Sequence, residues 1–96
     1  MSIETTLENA VHFLRGMAYG HRLHLLMLLR DGEQTPGALA EAIQLESTLV
    51  AHHLRSLRQA GLIRRQRRGR NVYYALASEA TGRLVQEILR FAAHPD

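Results

Sequence analysis

The segment from Leu45 to Leu62 constrains the fold of this chain more than any other, because its apolar residues recur at helical spacing. Ser47 or Glu46 is placed to cap the helix N-terminus, and Gly61 to follow its C-terminus. The segment therefore predicts an amphipathic helix that buries one face and exposes the other. The face predicted to be buried carries Leu49, Val50, His53, Leu54, Leu57 and Leu62.

The opposite face of this helix carries groups that suit nucleic acid. Its hydroxyl, imidazole and guanidinium groups can hydrogen-bond base edges and phosphates. An ordinary solvated helix surface would carry similar residues, so the surrounding charge pattern decides between the two interpretations. The side chains on this face are Thr48, Ala51, His52, Arg55 and Arg58.

Positive charge is concentrated in this helix and in the residues that follow it. Between Ser47 and Ser78 there is no Asp or Glu, whereas seven Arg give the segment a charge of +7. The rest of the chain holds five Arg and nine acidic residues, a charge of −4. A solvated surface usually mixes charge signs, so a basic region on one part of a small domain indicates a polyanion-binding surface. The seven are Arg55, Arg58, Arg64, Arg65, Arg67, Arg68 and Arg70.

Length and composition limit the classes of protein to which the chain can belong. Ninety-six residues predict one domain over 1–96, with a core so thin that a second copy would stabilise it. The absence of Cys excludes disulfides, thiolate metal sites and thiol redox chemistry. No apolar run reaches the ~18 residues of a membrane span, and acidic residues near the N-terminus argue against an export signal. We therefore expect a cytoplasmic protein with no membrane partner.

Two helices are predicted before residue 31. The first covers 2–16, with Ser2 as its cap. The second covers 21–30 and is apolar nearly all round, which is typical of a central, buried helix. Met17 and Met27 are also expected to lie inside. The apolar stripe of the first helix is Ile3, Leu7, Ala10, Val11 and Leu14.

A short helix with a clear start precedes the central segment. Thr35 is placed as its cap and Pro36 at its first helical position, and it runs to about Ile43. A few residues then separate it from the amphipathic helix. Two helices joined by a tight turn, the second with a polar outer face, form a helix-turn-helix.

After Gly61 the apolar period changes from 3.6 to 2. Two runs, the Arg-rich 62–68 and the alternating 71–76, surround Gly69 and Arg70, which predicts a β-hairpin with its turn at these two residues.

A last helix is predicted over 79–93, capped by Ser78. The predicted fold is mainly α with a small β-hairpin (α+β), a winged helix-turn-helix in the order α-α-α-α-β-β-α. The apolar stripe of the last helix is Leu84, Val85, Ile88, Leu89 and Ala92.

Three segments give the chain a resemblance to the ArsR/SmtB-type bacterial transcriptional regulators. They are FLRGMAYGHRLHLLMLLRDGE, LAEAIQLESTLVAHHLRSLRQAGLI and RRGRNVYYAL, and the resemblance covers roughly residues 13 to 76. It implies a homodimeric DNA-binding repressor. Many members of that family release DNA when a metal ion or an oxidant binds.

The chain departs from the family pattern at its sensing sites. Gln34-Thr35-Pro36 stands where metal-sensing members carry Cys-x-Cys, and the last helix lacks the usual His and acidic ligand pairs. Met17 to Arg22 replaces the common Leu-Ser-Asp-Pro-Thr-Arg turn, and Ala51 replaces a Ser of the recognition helix. The resemblance therefore implies DNA binding without metal or thiol sensing, and no cofactor is expected.

The predicted DNA interface combines a recognition helix at 47–60 with an Arg-rich wing at 64–74. Thr48 and His52 are expected to contact base edges in the major groove, and the wing to follow the backbone or the minor groove. Double-stranded DNA bound by two such helices would be an imperfect palindrome with half-sites about 10 bp apart, and repression would follow from blocking polymerase. Phosphate contacts are assigned to Thr35, Ser47, Arg55, Arg67, Arg68 and Arg70, and Ala51 and Tyr73 complete the interface.

The first and last helices are expected to pair two copies of the chain. Their stripes are too apolar to stay in water on a domain this small. His12 and His94 lie on these elements and are the only candidates for a metal site, which would have to span the dimer. His21 and His24 are two ligands short of such a site. The residues assigned to the dimer interface are Leu7, Val11, Leu14, Val85, Ile88 and Leu89.

Other functions fit the sequence less well. No nucleophile motif, phosphate loop or paired carboxylates with a nearby His support an enzyme. RNA binding lacks aromatic stacking platforms, since only Tyr73 and Tyr74 are nearby. The alternatives left open are a Ni- or Zn-responsive repressor that uses interface histidines and a winged-helix protein-interaction module. The sequence does not identify an effector.

Overall fold

The computed structural model of the protein describes residues 2–95, so the two ends of the predicted 1–96 domain lie outside the described residues. The described elements confirm the predicted order and the winged helix-turn-helix, with α3 and α4 as the helix-turn-helix and β1–β2 as the wing. Within this range, no helix is long and apolar enough to cross a membrane. The elements are α1 (Ile3–Met17), α2 (Gly20–Leu29), α3 (Pro36–Ile43), α4 (Ser47–Gln59), β1 (Ile63–Arg68), β2 (Asn71–Leu76) and α5 (Glu79–Ala93).

Hydroxyl side chains begin three of the helices, as predicted. Each accepts a hydrogen bond from a backbone N–H that has no partner inside its helix, which typically stabilises by about 1 kcal/mol. α4 differs, because Glu46 takes the cap position without a side-chain bond and Ser47 is the first helical residue. The three bonds join Thr5 N to Ser2 Oγ (3.2 Å), Ala38 N to Thr35 Oγ1 (3.2 Å) and Thr81 N to Ser78 Oγ (3.3 Å).

α2 lies at the centre of the fold, packed against the other four helices and against β2. Full burial of each Leu or Val in this core stabilises by about 1.5–3 kcal/mol. The predictions for Met27 and Leu49 are wrong, because both side chains are exposed. Leu49 lies about 100° around α4 from Val50, outside the face that the core covers. The buried residues are Met17, Leu25, Leu26, Leu29, Leu39, Val50, Leu54, Leu57, Ala60, Leu62, Ile63 and Val85.

The wing is an antiparallel hairpin that gains a third segment from the α2–α3 loop. Its register runs from the pair Ile63 and Leu76 to the pair Arg68 and Asn71. Gly69 begins the predicted two-residue turn with a φ of 61°, a value that favours glycine. Gln34 bridges the outer edge of β2, with Gln34 N to Tyr74 O at 3.0 Å and Tyr74 N to Gln34 O at 2.8 Å. β2 therefore lies between β1 and the loop.

α1 packs against α2 and α4 near its C-terminal end and leaves most of its apolar stripe outside the core. Gly16 permits the close approach, since a Cβ atom there would lie 2.6 Å from Ala60 Cβ. The exposed part of the stripe comprises Ile3, Leu7, Val11 and Leu14.

α5 corrects part of the predicted dimer stripe. The sequence predicts Val85 at the dimer interface, but Val85 is fully buried in this chain's own core, where a second copy cannot reach it. Ile88 and Leu89 are half-buried and pack against the same core. Leu84 and Phe91 are exposed instead, Phe91 by 75% of its surface. The apolar surface that α5 offers to a partner is therefore displaced from the predicted one.

Candidate nucleic-acid interface

The outer face of α4 exposes the side chains that the sequence predicts to contact DNA. On the opposite face, Val50, Leu54 and Leu57 are buried and hold the helix against α2 and α3. This packing fixes which side of α4 meets solvent, and the predicted outer face is confirmed as exposed. Contact with DNA itself stays a prediction. The exposed residues are Ser47, Thr48, Ala51, His52 and Arg55.

Thr35 caps α3, and its phosphate contact stays a prediction. Its hydroxyl oxygen accepts the cap bond from Ala38 N at 3.2 Å, which engages one lone pair. The hydroxyl hydrogen stays free to donate to a phosphate oxygen. Thr35 is half-buried, so a phosphate would have to approach from the side on which α3 begins.

His53 lies behind His52 and is held by an arginine from α2. Arg22 Nε donates to His53 Nδ1 at 3.3 Å, and Arg22 Nη1 donates to the carbonyl oxygen of Gly16 at 3.2 Å. The Arg22 guanidinium also lies 4.2 Å from the centre of the Tyr19 ring. This anchor connects the end of α1, the start of α2 and the middle of α4. Sequence reasoning missed it, because no local pattern links residues 31 positions apart.

The anchor requires His53 to be neutral, since Nδ1 must keep its lone pair to accept from Arg22. Burial of the ring lowers the pKa of His53, and electrostatic repulsion from Arg22, and to a smaller extent from His52 and His21, lowers it further. The rings of His52 and His53 are 5.4 Å apart. His53 therefore holds α4 in place, and His52 stays exposed on the outer face.

Three arginines extend the basic surface from α4 to the wing. Arg58, at the end of α4, lines one shallow depression together with Arg65 and Arg67 of β1. The sequence analysis included Arg58 and Arg65 in the basic region but assigned a phosphate contact only to Arg67 of these three. The basic surface thus reaches the base of the wing as well as its tip.

The structure places Arg68 differently from its neighbours. Both terminal nitrogens of Arg68 donate to the carboxylate of Glu33, with Nη2 to Oε2 at 2.7 Å. The guanidinium lies 4.9 Å from the centre of the half-buried Tyr73 ring. Contact of Arg68 and Tyr73 with DNA stays a prediction, and in the structure Arg68 is engaged by Glu33 across the sheet. Arg67 and Arg70 are exposed, as predicted.

His12 and His94, the candidate metal ligands, are both exposed. His12 lies in a shallow hollow on α1 with Glu8 and Arg15. Residues 2–95 of one chain hold no group of three or more His, Cys, Asp or Glu side chains placed to bind a metal ion. A site completed by a second chain stays a hypothesis.

The sequence of this chain is similar to those of one family of bacterial regulators. The model of the bacterial regulatory protein family arsR matches residues 20–65, which cover α2, α3, α4 and the first residues of β1. The regulator NmtR of Mycobacterium tuberculosis is 37% identical over 81 residues, 84% of this chain and 68% of NmtR. The transcriptional activator HlyU of Vibrio cholerae is 30% identical over 88 residues, 92% of this chain and 82% of HlyU.

Solved structures show the same fold. Reduced HlyU from Vibrio cholerae superposes with a TM-score of 0.84 at 29% identity, over 93% of this chain and 94% of that one. The homodimeric winged helix-turn-helix DNA-binding domain Mb0332 from Mycobacterium bovis gives a TM-score of 0.87 at 30% identity, over 94% and 83%. The helix-turn-helix, the wing and the sequence identity over most of the chain all indicate the same family. The chain therefore belongs to the arsR family of bacterial regulatory proteins.

Proposed function

We propose that the protein is a homodimeric, sequence-specific DNA-binding transcriptional regulator that acts as a repressor in the bacterial cytoplasm. The observation that carries this proposal is the exposed surface formed by α4 and the wing, in which no acidic residue interrupts the Arg positions from Ser47 to Ser78. We propose no enzymatic activity for the protein. A winged helix that binds only other proteins would have no use for the charge of +7 that the segment from Ser47 to Ser78 carries.

α4 is the element that enters the major groove in this proposal. A helix with its side chains is about 10–12 Å across, and the major groove is about 12 Å wide. Thr48 and His52 lie near the N-terminal half of the exposed face, where they can contact base edges. Ser47 and Arg55 flank them and are placed for the phosphates on either side. Each well-made base contact contributes about 1–3 kcal/mol of discrimination.

The wing and the end of α4 provide the sequence-independent part of binding. Arg58, Arg65 and Arg67 share one depression, and Arg70 is exposed at the hairpin turn. Each arginine that neutralises a phosphate releases counterions, which makes the affinity fall with salt concentration. Four such contacts would give a log–log slope of about −3.6 per protomer.

α1 is the main element of the proposed dimer. The exposed side chains of Leu7, Val11 and Leu14 form an apolar stripe that residues 2–95 of one chain leave uncovered. Pairing through α1 would remove this stripe from water. Leu84 and Phe91 of α5 are further exposed apolar side chains that a second copy could cover. The Mycobacterium bovis domain described above is homodimeric. In such a dimer the two recognition helices would enter major grooves that lie one turn of the DNA helix apart. They would therefore bind an imperfect palindrome with half-sites about 10 bp apart.

Selection of duplexes from a random pool, followed by anisotropy titration, tests this function. We expect a two-fold symmetric consensus that binds at least a thousandfold more tightly than scrambled duplex. Single-stranded RNA of the same length should compete only weakly. Equal binding of consensus and scrambled duplex, or an asymmetric consensus, would contradict the proposal.

A metal-responsive repressor is the second candidate. The observation in its favour is the exposed His12 beside Glu8 on the face proposed to pair, which could bring ligands from two chains together. Against it, one chain offers no group of three ligands within the described residues.

A further inference from the structure

Glu33 pairs with an arginine of the surface that is proposed to bind DNA. We propose that Glu33 acts as an internal substitute for a DNA phosphate, which occupies Arg68 and lowers the affinity of the wing for DNA. This inference rests on the proposed function, since it concerns how strongly the same surface binds. It predicts that Arg68 contributes little to DNA binding in the wild-type protein.

The pair has the geometry with which arginine also binds phosphate. Arg68 Nη1 and Nη2 donate to Oε1 and Oε2 of Glu33, which is a two-pronged guanidinium–carboxylate contact. A phosphate group offers two oxygens at similar spacing to the same pair of N–H groups. Glu33 and a backbone phosphate therefore compete for one binding arrangement.

The fold holds Glu33 in position for this contact. Its neighbour Gln34 is fixed to β2 by two backbone hydrogen bonds with Tyr74, and the Gln34 side chain donates to the carbonyl oxygen of Leu28 at 3.0 Å. Arg68 lies at the end of β1 and reaches Glu33 over the ring of Tyr73 on β2. The contact therefore spans all three segments of the small sheet.

The pairing is confined to one arginine of the surface. In residues 2–95, Glu33 with Arg68 is the only salt bridge that involves the segment from Ser47 to Ser78. The side chains of Arg68 and Glu33 are 50% and 34% exposed, so solvent screens the pair and weakens it. Arg68 can therefore be released without unfolding the wing, but a phosphate makes the same two-pronged contact only by displacing Glu33.

Glu33→Gln is the direct test, with Asp31→Asn as its matched control. Asp31 lies in the same loop and is exposed, and the described residues place no cation within 4 Å of it, so both variants lose one negative charge. We expect Glu33→Gln to bind consensus and scrambled duplex roughly tenfold more tightly at 50 mM salt and about threefold at 200 mM. Its salt slope should be steeper by about 0.9, whereas Asp31→Asn should change little.

Two further variants complete the test. The double variant Glu33→Gln with Arg68→Ala should keep affinity and salt slope near wild type, because it removes both charges of the pair, whereas Arg70→Ala should lower both. Weaker binding by folded Glu33→Gln, or a loss for the double variant as large as for Arg70→Ala, overturns the inference. If wild type does not bind duplex at 50 mM salt, the proposed function itself fails. If wild type binds but Glu33→Gln matches Asp31→Asn, only this inference fails.

Discussion

α1 and α4 are amphipathic helices of similar length, but the core of this chain covers the apolar face of α4 only, and α1 is exposed from Ile3 to Arg15. α4 buries Val50, Leu54 and Leu57 and exposes its polar side, whereas α1 leaves Leu7 and Val11 exposed. Exposed apolar surface costs about 25 cal/mol per Å², so the face of α1 favours a second apolar surface. The polar, cationic face of α4 favours a polyanion. The same periodicity thus favours two kinds of interface, depending on whether the core of the chain covers the apolar face.

The sharpest test of this comparison uses two separate variants. One places a negative charge on the exposed stripe of α1, and the other places it in the core. Val11→Asp should give a folded monomer, because Val11 lies on the exposed face of α1. Its affinity for a palindromic duplex should fall about 10²–10⁴-fold, since two half-sites can no longer be held together. Analytical ultracentrifugation, circular dichroism and anisotropy titration measure these three properties.

Val85→Asp is the matched variant. It should unfold the chain, because an isolated carboxylate in a fully buried site costs several kcal/mol of a total stability of about 5–15 kcal/mol. A folded Val85→Asp monomer would contradict the placement of Val85 in the core. A Val11→Asp dimer would show that α1 is not the element that pairs.

Replacing His52 on α4 tests whether the polar face makes base-specific contacts. His52→Ala should lose about 1–3 kcal/mol of discrimination between the consensus and a duplex mutated at the contacted base pair. Its thermal midpoint should stay near wild type, because His52 is exposed. Equal loss of affinity for consensus and scrambled duplex would assign His52 to the backbone.

Arg65 and Arg67 test the sequence-independent part of the same surface. Arg65→Ala or Arg67→Ala should weaken binding of consensus and scrambled duplex alike and reduce the salt slope by about 1 each. Arg83→Ala on α5, an exposed residue outside the acid-free segment from Ser47 to Ser78, is the control and should keep the wild-type slope. A change of sequence preference on removing Arg67 would mean that it contacts bases.

Protonation of His53 should weaken the anchor between α1 and α4. The pKa of His53 is lowered in the folded chain, so the unfolded chain binds the proton first as the pH falls. This contribution to stability is complete above about pH 6.5 and is lost as the pH falls towards the lowered folded pKa. We expect the free energy of unfolding by urea to fall less between pH 7.5 and pH 5.5 in His53→Asn than in the wild-type protein. The Asn amide can accept from Arg22 but does not titrate. Identical losses for both proteins would exclude His53 as the cause.

The smallest expected effect is that of metal ions. Zn²⁺, Ni²⁺ and Co²⁺ in chelator-buffered titrations should leave DNA affinity nearly unchanged, since a weak site gives a weak switch. Release of DNA at nanomolar free metal would instead favour the second candidate function. In that case the double variant His12→Ala with His94→Ala should abolish the response.

The sequence by itself determined the elements and their order. Hydrophobic spacing marks helices and strands locally, and the caps at Ser2, Thr35 and Ser78 depend only on residues within one turn. The absence of acidic residues between Ser47 and Ser78 likewise identified the basic surface before any packing was known.

Only the tertiary structure decided which neighbour each side chain meets. Val85 belongs to the apolar stripe that the sequence predicts at the dimer interface, yet it is buried in the core of its own chain. Leu49 lies just outside the face that α4 buries. Arg68 pairs with Glu33 because the α2–α3 loop lies along β2, which brings together residues 35 positions apart. A periodic pattern defines the direction of a side chain around its own helix or strand. The partner in that direction depends on how distant elements pack, and this long-range packing sets the final contacts.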